Sequence, residues 1–433
     1  MSALRFEVQW QDGTGIEGPE LAATFAALRI SVAGSVLTHV DDKRAQTLRD
    51  VVYVPVYPLA EWLVSNWWFL AYEPENLLNR GNPAFAHRHW LVTGSDGYAY
   101  PDLRLSSAGK LTRLEWDRRA SEWTRLDYRS SGSVTLDRDQ VLAAFTDFID
   151  TVTRRLSACG ISSSYLQSEW EAVQATDHDE QTFCATAASL GRDPYDLEEH
   201  EARLVLDVGK RLGDMRMEAL PALDPAEPLA ACIAIHEALE ASKSNTLRLA
   251  DGLAGASRWQ VDTNRPWLDG YEMARHTRAA LGLNGEALAT NADLAAAIGQ
   301  RPTYISRATR PVKSLAALTL VDGVVNPQGP GTASIGLRET GLAGRRFLFC
   351  RALAEVLTAG TATVLTKAKT ERQQRNRAFA AEFLAPSASL REKIADRYVD
   401  QDHVTELADE FGVSPYVIEH QLSNHGIAEL VSQ

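Results

Sequence analysis

The sequence predicts an α+β protein made of several domains, and three observations carry that reading. A chain of 433 residues exceeds what one hydrophobic core serves. Apolar residues alternate with period two through much of the first third, then switch to a 3.6-residue period near residue 137. After about residue 263 short β-rich runs return among helical stretches. The chain therefore divides into a mixed α/β segment 1–158, a helical middle 159–262, and a mixed segment 263–433 with a helical tail.

In the first segment, "VVYVPVYPLAEWLVSNWWFLAYE" starts as a strand and passes into a helix at Pro58. "HRHWLVTGSDGYAYPDLRL" alternates around Ser95-Asp96-Gly97, which predicts a hairpin and places His87 and His89 on one face of a strand. "KLTRLEWDRRASEWTRLDYRSSGSVTLD" offers Leu114, Trp116, Trp123 and Leu126 as sheet residues. Seven of the ten tryptophans, Trp10 to Trp123, fall in this segment, so its sheet core is expected to be aromatic. A helix follows, capped by Asp137 or Thr135, buried along Leu142, Phe145, Phe148 and Val152, and ended by Gly160.

The middle segment reads as helices, with two around "GRDPYDL" in a helix-turn-helix rhythm whose second member is too acidic to read DNA. Asp177, Asp179 and Glu180 around His178 suit a helix start, where acids complement the dipole. In the last segment Tyr271, Ala274, Thr277 and Leu281 share a helical face that stops at Gly282. There follow a helix at "NADLAAAIG", a hairpin and strand in "LAALTLVDGVVNPQGPGTASIGLRE", the helix "RRFLFCRALAEVL", the strand-like "TATVLT", the helix "ERQQRNRAFAAEFLAP" and the tail "VTELADEFGVSPYVIEHQLSNHGI".

A formal charge of −13 disfavours non-specific binding to nucleic acid or anionic membrane, and the basic run from Lys367 to Arg377 reads as a solvated helix face. No uncharged apolar run of about 18 residues is present, so no transmembrane helix is expected. The first residues have no basic start followed by an apolar stretch, which points to the cytoplasm. Cys159, Cys184, Cys232 and Cys350 are widely spaced and form no CxxC pair, which excludes a zinc ribbon. Neither a G-x-S-x-G elbow nor a P-loop is present; "GPGTASIG" lacks the lysine.

Residues 265–430 resemble the ImmA/IrrE family of HExxH zinc metallopeptidases. The resemblance rests on four pieces in order: "PWLDGYEMARHTRAALGL", "RRFLFCRALAE", "RAFAAEFLAP" and the tail. It implies a zincin-like C-terminal domain in which two histidines, i and i+4 on one helix, hold zinc and the glutamate after the first acts as base. Carried over position by position, Arg351 stands for the first His, Ala352 for the base and Glu355 for the second His. Where the third ligand is expected the chain has Gln373, Gln374 and Arg375; Glu371 comes one turn early and Glu382 lies in the packing segment.

A guanidinium repels a metal ion and an alanine moves no proton. The expectation is therefore a pseudo-peptidase: no catalytic residue, no metal and no cofactor, with Arg351 and Glu355 paired across one helical turn. Members of the family act in bacterial and phage regulation, stress and defence. By that analogy the expected partner is a protein or a small anion, held between the altered helix and "FAAEFLAP" by Arg351, Glu355 and Arg375; nucleic acid and membrane are not expected. Two alternatives stand. One is an active zinc peptidase with relocated ligands, for which His236, Glu237 and Glu240 in "AIHEALEAS" are the fallback set. The other is a DNA-binding regulator using the tail, whose second helix carries Glu419 and no Arg or Lys.

Overall fold

Turn residues and side-chain periodicity place the elements; long-range pairing then sorts them into two compact units, residues 1–209 and 210–433. The computed structural model describes residues 4–75, 79, 81–94, 97–120, 125–249, 265–283, 285–329, 331–358, 360–394 and 396–431. Ser95, Asp96, Trp123 and the 262/263 boundary lie outside them. The stretch read as a helical middle divides between the units at residue 209.

In the first unit, β1 (Leu4–Trp10) runs antiparallel to β2 (Phe25–Val32), which also pairs with β3 (Val52–Pro55). The alternating exposure of β1 marks a sheet with one buried face. Two helices follow, α1 (Tyr57–Ser65) and α2 (Trp67–Tyr72). Trp62, Trp68 and Trp116 are buried, as an aromatic core requires.

The "HRHW" stretch departs from expectation. Pro83 at the first turn and the Asn82 side chain, which accepts from Ala84 N, start α3 (Pro83–His89) instead of a strand. His89 is buried and bonds Leu105 O and Glu73 through its two ring nitrogens. A meander of β4 (Asp102–Ala108), β5 (Leu111–Asp117) and β6 (Gly132–Asp137) comes next. Asp137 then caps α4 (Arg138–Ala158), accepting from Asp139 N and Gln140 N, and Phe145, Phe148 and Val152 are buried along it. The helices α5 (Tyr165–Ala175), α6 (His178–Ser189) and α7 (Glu199–Leu212) follow.

The second unit contains α8 (Arg216–Ala219) and α9 (Pro228–Ser242), then an antiparallel sheet. Its strands are β7 (Thr246–Arg248), β8 (Val321–Gly329), β9 (Thr332–Leu337) and β10 (Thr363–Thr366), in spatial order β7-β9-β8-β10. Within the glycine-rich "GPGTASIG", Gly329 ends β8 and the residues from Thr332 on lie in β9. Helix α10 (Pro266–Ala280) lies between β7 and β8 in sequence. Helix α11 (Leu342–Thr358) follows β9, and α12 (Glu371–Leu384) follows β10. From Arg346 on, α11 is buried nearly all round, consistent with a sequence that has no polar stripe.

Helices α10 and α12 cross closely at Gly270, where a Cβ would lie 2.2 Å from Arg375 O. The tail forms α13 (Gln401–Phe411) and α14 (Pro415–Asn424). Between them Gly412 has φ +61 and abuts Ala289 O, so both its conformation and its space exclude a side chain. No helix among the described residues is long and apolar enough to cross a membrane.

Candidate functional site

The three positions on α11 that the resemblance assigns to metal ligands and base lie against the sheet and α12. Arg351 is 2% exposed, and Ala352 and Glu355 are fully buried. A buried cation must be paired and bonded on every side. Arg351 Nη1 meets Asp322 Oδ2 on β8 at 2.8 Å, and Nε donates to Asn376 Oδ1 at 3.0 Å. Its Nη2 donates to Thr366 O and to Gln373 Oε1, each at 2.7 Å. All three guanidinium nitrogens are thus committed within the unit.

Arg351 and Glu355 do not pair across the turn as the sequence suggested. Glu355 Oε2 takes its ion pair from Arg372 at 2.7 Å, and Glu355 Oε1 accepts from Asn376 Nδ2 at 2.9 Å. Asn376 therefore stands between them, donating to one and accepting from the other. The cause is tertiary. Each charged side chain finds a better-placed partner on β8 or α12 than its neighbour on α11, where i,i+4 pairing is weak.

Gln373 joins these groups to a third element. Its Oε1 accepts from Arg351 and from Thr366 N, while Nε2 donates to Val364 O and to Glu218 Oε2 at 2.8 Å. The Thr370 hydroxyl, which caps α12, also donates to Glu218 Oε2 at 2.6 Å. Glu218 belongs to α8, which packs against β10. Burial pushes the Glu218 carboxyl up to about 7, partly offset by the bond from Thr370. The fixed charges balance: Arg351 and Arg372 against Asp322 and Glu355.

Other sequence-predicted residues lie elsewhere. His236, Glu237 and Glu240 are exposed on α9; His236 Nδ1 bonds Cys232 O, and Glu240 pairs with Lys243. Among the described residues no three His, Cys, Asp or Glu side chains converge as a metal site. Arg375 is 8% exposed, its Nε buried without a hydrogen-bond partner, and no hydrogen bond ties it to the Arg351 network. The basic run is a solvated face only in part: Lys367 and Lys369 are exposed, Arg372 and Arg377 half-buried, and Arg375 buried with Gln373 and Asn376 where α12 is enclosed by α10 and α11.

A second feature occupies the adjoining face of α12. Helix α10, the first turns of α11, α12 and α14 enclose a cavity of about 560 Å³. Trp267, Tyr271, Phe347 and Tyr416 supply its aromatic wall, and Arg377, His420 and His425 its basic groups. Arg377 donates to Ala368 O at 2.7 Å and to Thr366 O at 3.3 Å, so it shares the Thr366 carbonyl with Arg351. His425 sits 4.4 Å from the Tyr271 ring and 3.4 Å from Glu382 Oε2. Burial pushes the Glu382 carboxyl up, but bonds from His425, Arg275 and Gln421 outweigh it and hold it near 2.

Residues 342–423 match the model of the IrrE N-terminal-like domain family, Peptidase_M78. That stretch runs from the start of α11 into α14, and the match supports a relation to the ImmA/IrrE family over it. No curated protein and no solved structure matches the chain. Sequence reasoning reached α11 and α12 but missed Asp322, Asn376 and Glu218. The one sequence signal for them was polarity inside otherwise apolar packing segments.

Proposed function

We propose that the IrrE-like part of this chain is a pseudo-peptidase that binds a partner or ligand in a regulatory role and hydrolyses nothing. The observation that carries this reading is Arg351. At the position of the first zinc ligand stands a cation with four short hydrogen bonds, next to an alanine in place of the base. Such a group opposes a divalent ion twice, by charge and by filling the coordination space. Glu355, the one residue there able to ligate, is already bonded to Arg372 and Asn376. What is left for function is recognition, and the cavity beside this network, between the N-terminal turns of α11 and "FAAEFLAP" of α12, is where it would occur. In the bacterial or phage setting that the family suggests, occupancy of that cavity would report a signal to a protein partner.

The test is elemental analysis of untagged protein purified without chelator. Less than about a tenth of an equivalent of zinc is expected, because among the described residues no set of three or four ligands is offered. Zinc near one equivalent, or peptide hydrolysis abolished by chelator, would overturn the proposal.

A further inference from the structure

The cavity's walls say what would fill it. They combine flat aromatic surfaces with Arg377, His420 and His425, the last set against Glu382 behind the wall, and among the described residues that line the cavity there is no Asp or Glu. This is unexpected by composition, since the chain has 57 acidic residues against 44 basic ones. Arg377 is hydrogen-bonded to two backbone carbonyls and to no carboxylate, so its guanidinium has donors to spare. Burial and then the neighbouring Arg351 charge disfavour that cation, while the Asp322 and Glu218 charges offset them only in part. At the rim Tyr416 and Leu268 are exposed although apolar, and Tyr416 lies 4.2 Å from the His420 ring. A volume of about 560 Å³ suits a small organic molecule rather than a polypeptide segment.

We infer that this cavity is a binding site for a small organic anion, with its flat apolar body between Trp267, Phe347 and Tyr416 and its anionic group on Arg377. The charge fixes the orientation of the ligand, and the aromatic wall supplies most of the contact. The inference deepens the binding role proposed above and rests on it for the cavity's use. It does not depend on the absence of zinc.

Calorimetric titration of the full chain with 2-naphthoate and with its neutral analogue 2-naphthamide tests it. The carboxylate is expected to bind one to one and at least about tenfold more tightly than the amide, as a charge-assisted bond implies. Arg377→Gln should bring the two probes level while keeping the amide's affinity. Ala381→Phe, which narrows the cavity, should weaken both by about tenfold or more. Thermal unfolding of each variant shows whether it has folded. Equal affinity of the two probes for the unmodified protein, no binding of either up to about 1 mM, or a preference that survives Arg377→Gln would each overturn the inference. Zinc measured on the same preparations separates the two proposals. Stoichiometric zinc with the naphthoate preference intact removes the pseudo-peptidase and leaves the anion site; no zinc and no preference removes the anion site alone.

Discussion

Replacing Arg351 by methionine should cost the second unit more than any surface charge could. The substitution keeps much of the side chain's length and apolar stem while deleting four hydrogen bonds of 2.7–3.0 Å. It also leaves Asp322, 7% exposed, as an uncompensated buried carboxylate. Breaking a buried ion pair from one side costs about 3–5 kcal/mol. For a unit of this size each kcal/mol moves the midpoint by about 2–4 °C, so a fall of about 6–20 °C is expected. Removing both charges in the Arg351→Met/Asp322→Leu double variant should recover part of the loss, because an apolar pair of similar volume is often tolerated. Urea unfolding of the two single variants and the double variant gives the coupling energy. A loss below about 1 kcal/mol for Arg351→Met would match an exposed ion pair and refute the reasoning. The guanidinium would then be free to hold a ligand itself.

Two further outcomes concern pH. Glu218 has its folded value near 7, above its ordinary 4.5, so between those values the unfolded chain ionises while the folded one stays protonated. Stability should therefore fall as pH rises from about 4.5 to 7, by about 3 kcal/mol, and Glu218→Gln should remove that slope while still accepting from Thr370 and Gln373. An unchanged slope in unfolding curves taken across this range would show that Glu218 is not the group responsible. Glu382 has the opposite sign. Held near 2, it contributes stability that is complete above about 4.5 and is lost as pH falls towards 2, again about 3 kcal/mol. Glu382→Gln should flatten the acid limb and loosen α14, since Gln421 and His425, the residue after the helix, both reach it, and hydrogen exchange of α14 amides at neutral pH would detect the loosening.

Local signals in the sequence were read well where the structure is locally determined. The Asp137 cap and the stop at Gly282 are written in one or two residues each, and the helices they bound lie where periodicity puts them. "HRHW" shows the limit: a run of four can alternate and still be helical once Asn82 and Pro83 begin a helix before it. The site was half legible. Arg351, Ala352 and Glu355 stand out in the sequence because the resemblance fixes their spacing. Their partners do not: Asp322 is 29 residues from Arg351 and Glu218 is 155 from Gln373, and no periodicity links such positions. The basic run 367–377 was read correctly only at Lys367 and Lys369, which are exposed, and not at the buried Arg375, for the same reason. Its charge is visible in sequence, but its enclosure by α10 and α11 depends on Gly270 allowing a close crossing more than a hundred residues away.

The sheet has a further consequence for anyone who would cut this chain along its recognisable part. The stretch that matches the family, residues 342–423, contains only one of the sheet's four strands, β10. It also leaves behind Asp322 and Glu218, so Arg351 would lose its counter-ion and Gln373 and Thr370 their acceptor. A fragment begun at residue 263 would fare little better: β9 would lose β7 and present a bare edge to any neighbouring strand. The stretch that matches the family is shorter than the compact unit that contains it. A piece that keeps this sheet and these counter-ions together reaches back to α8, far ahead of the first residue that matches the family model.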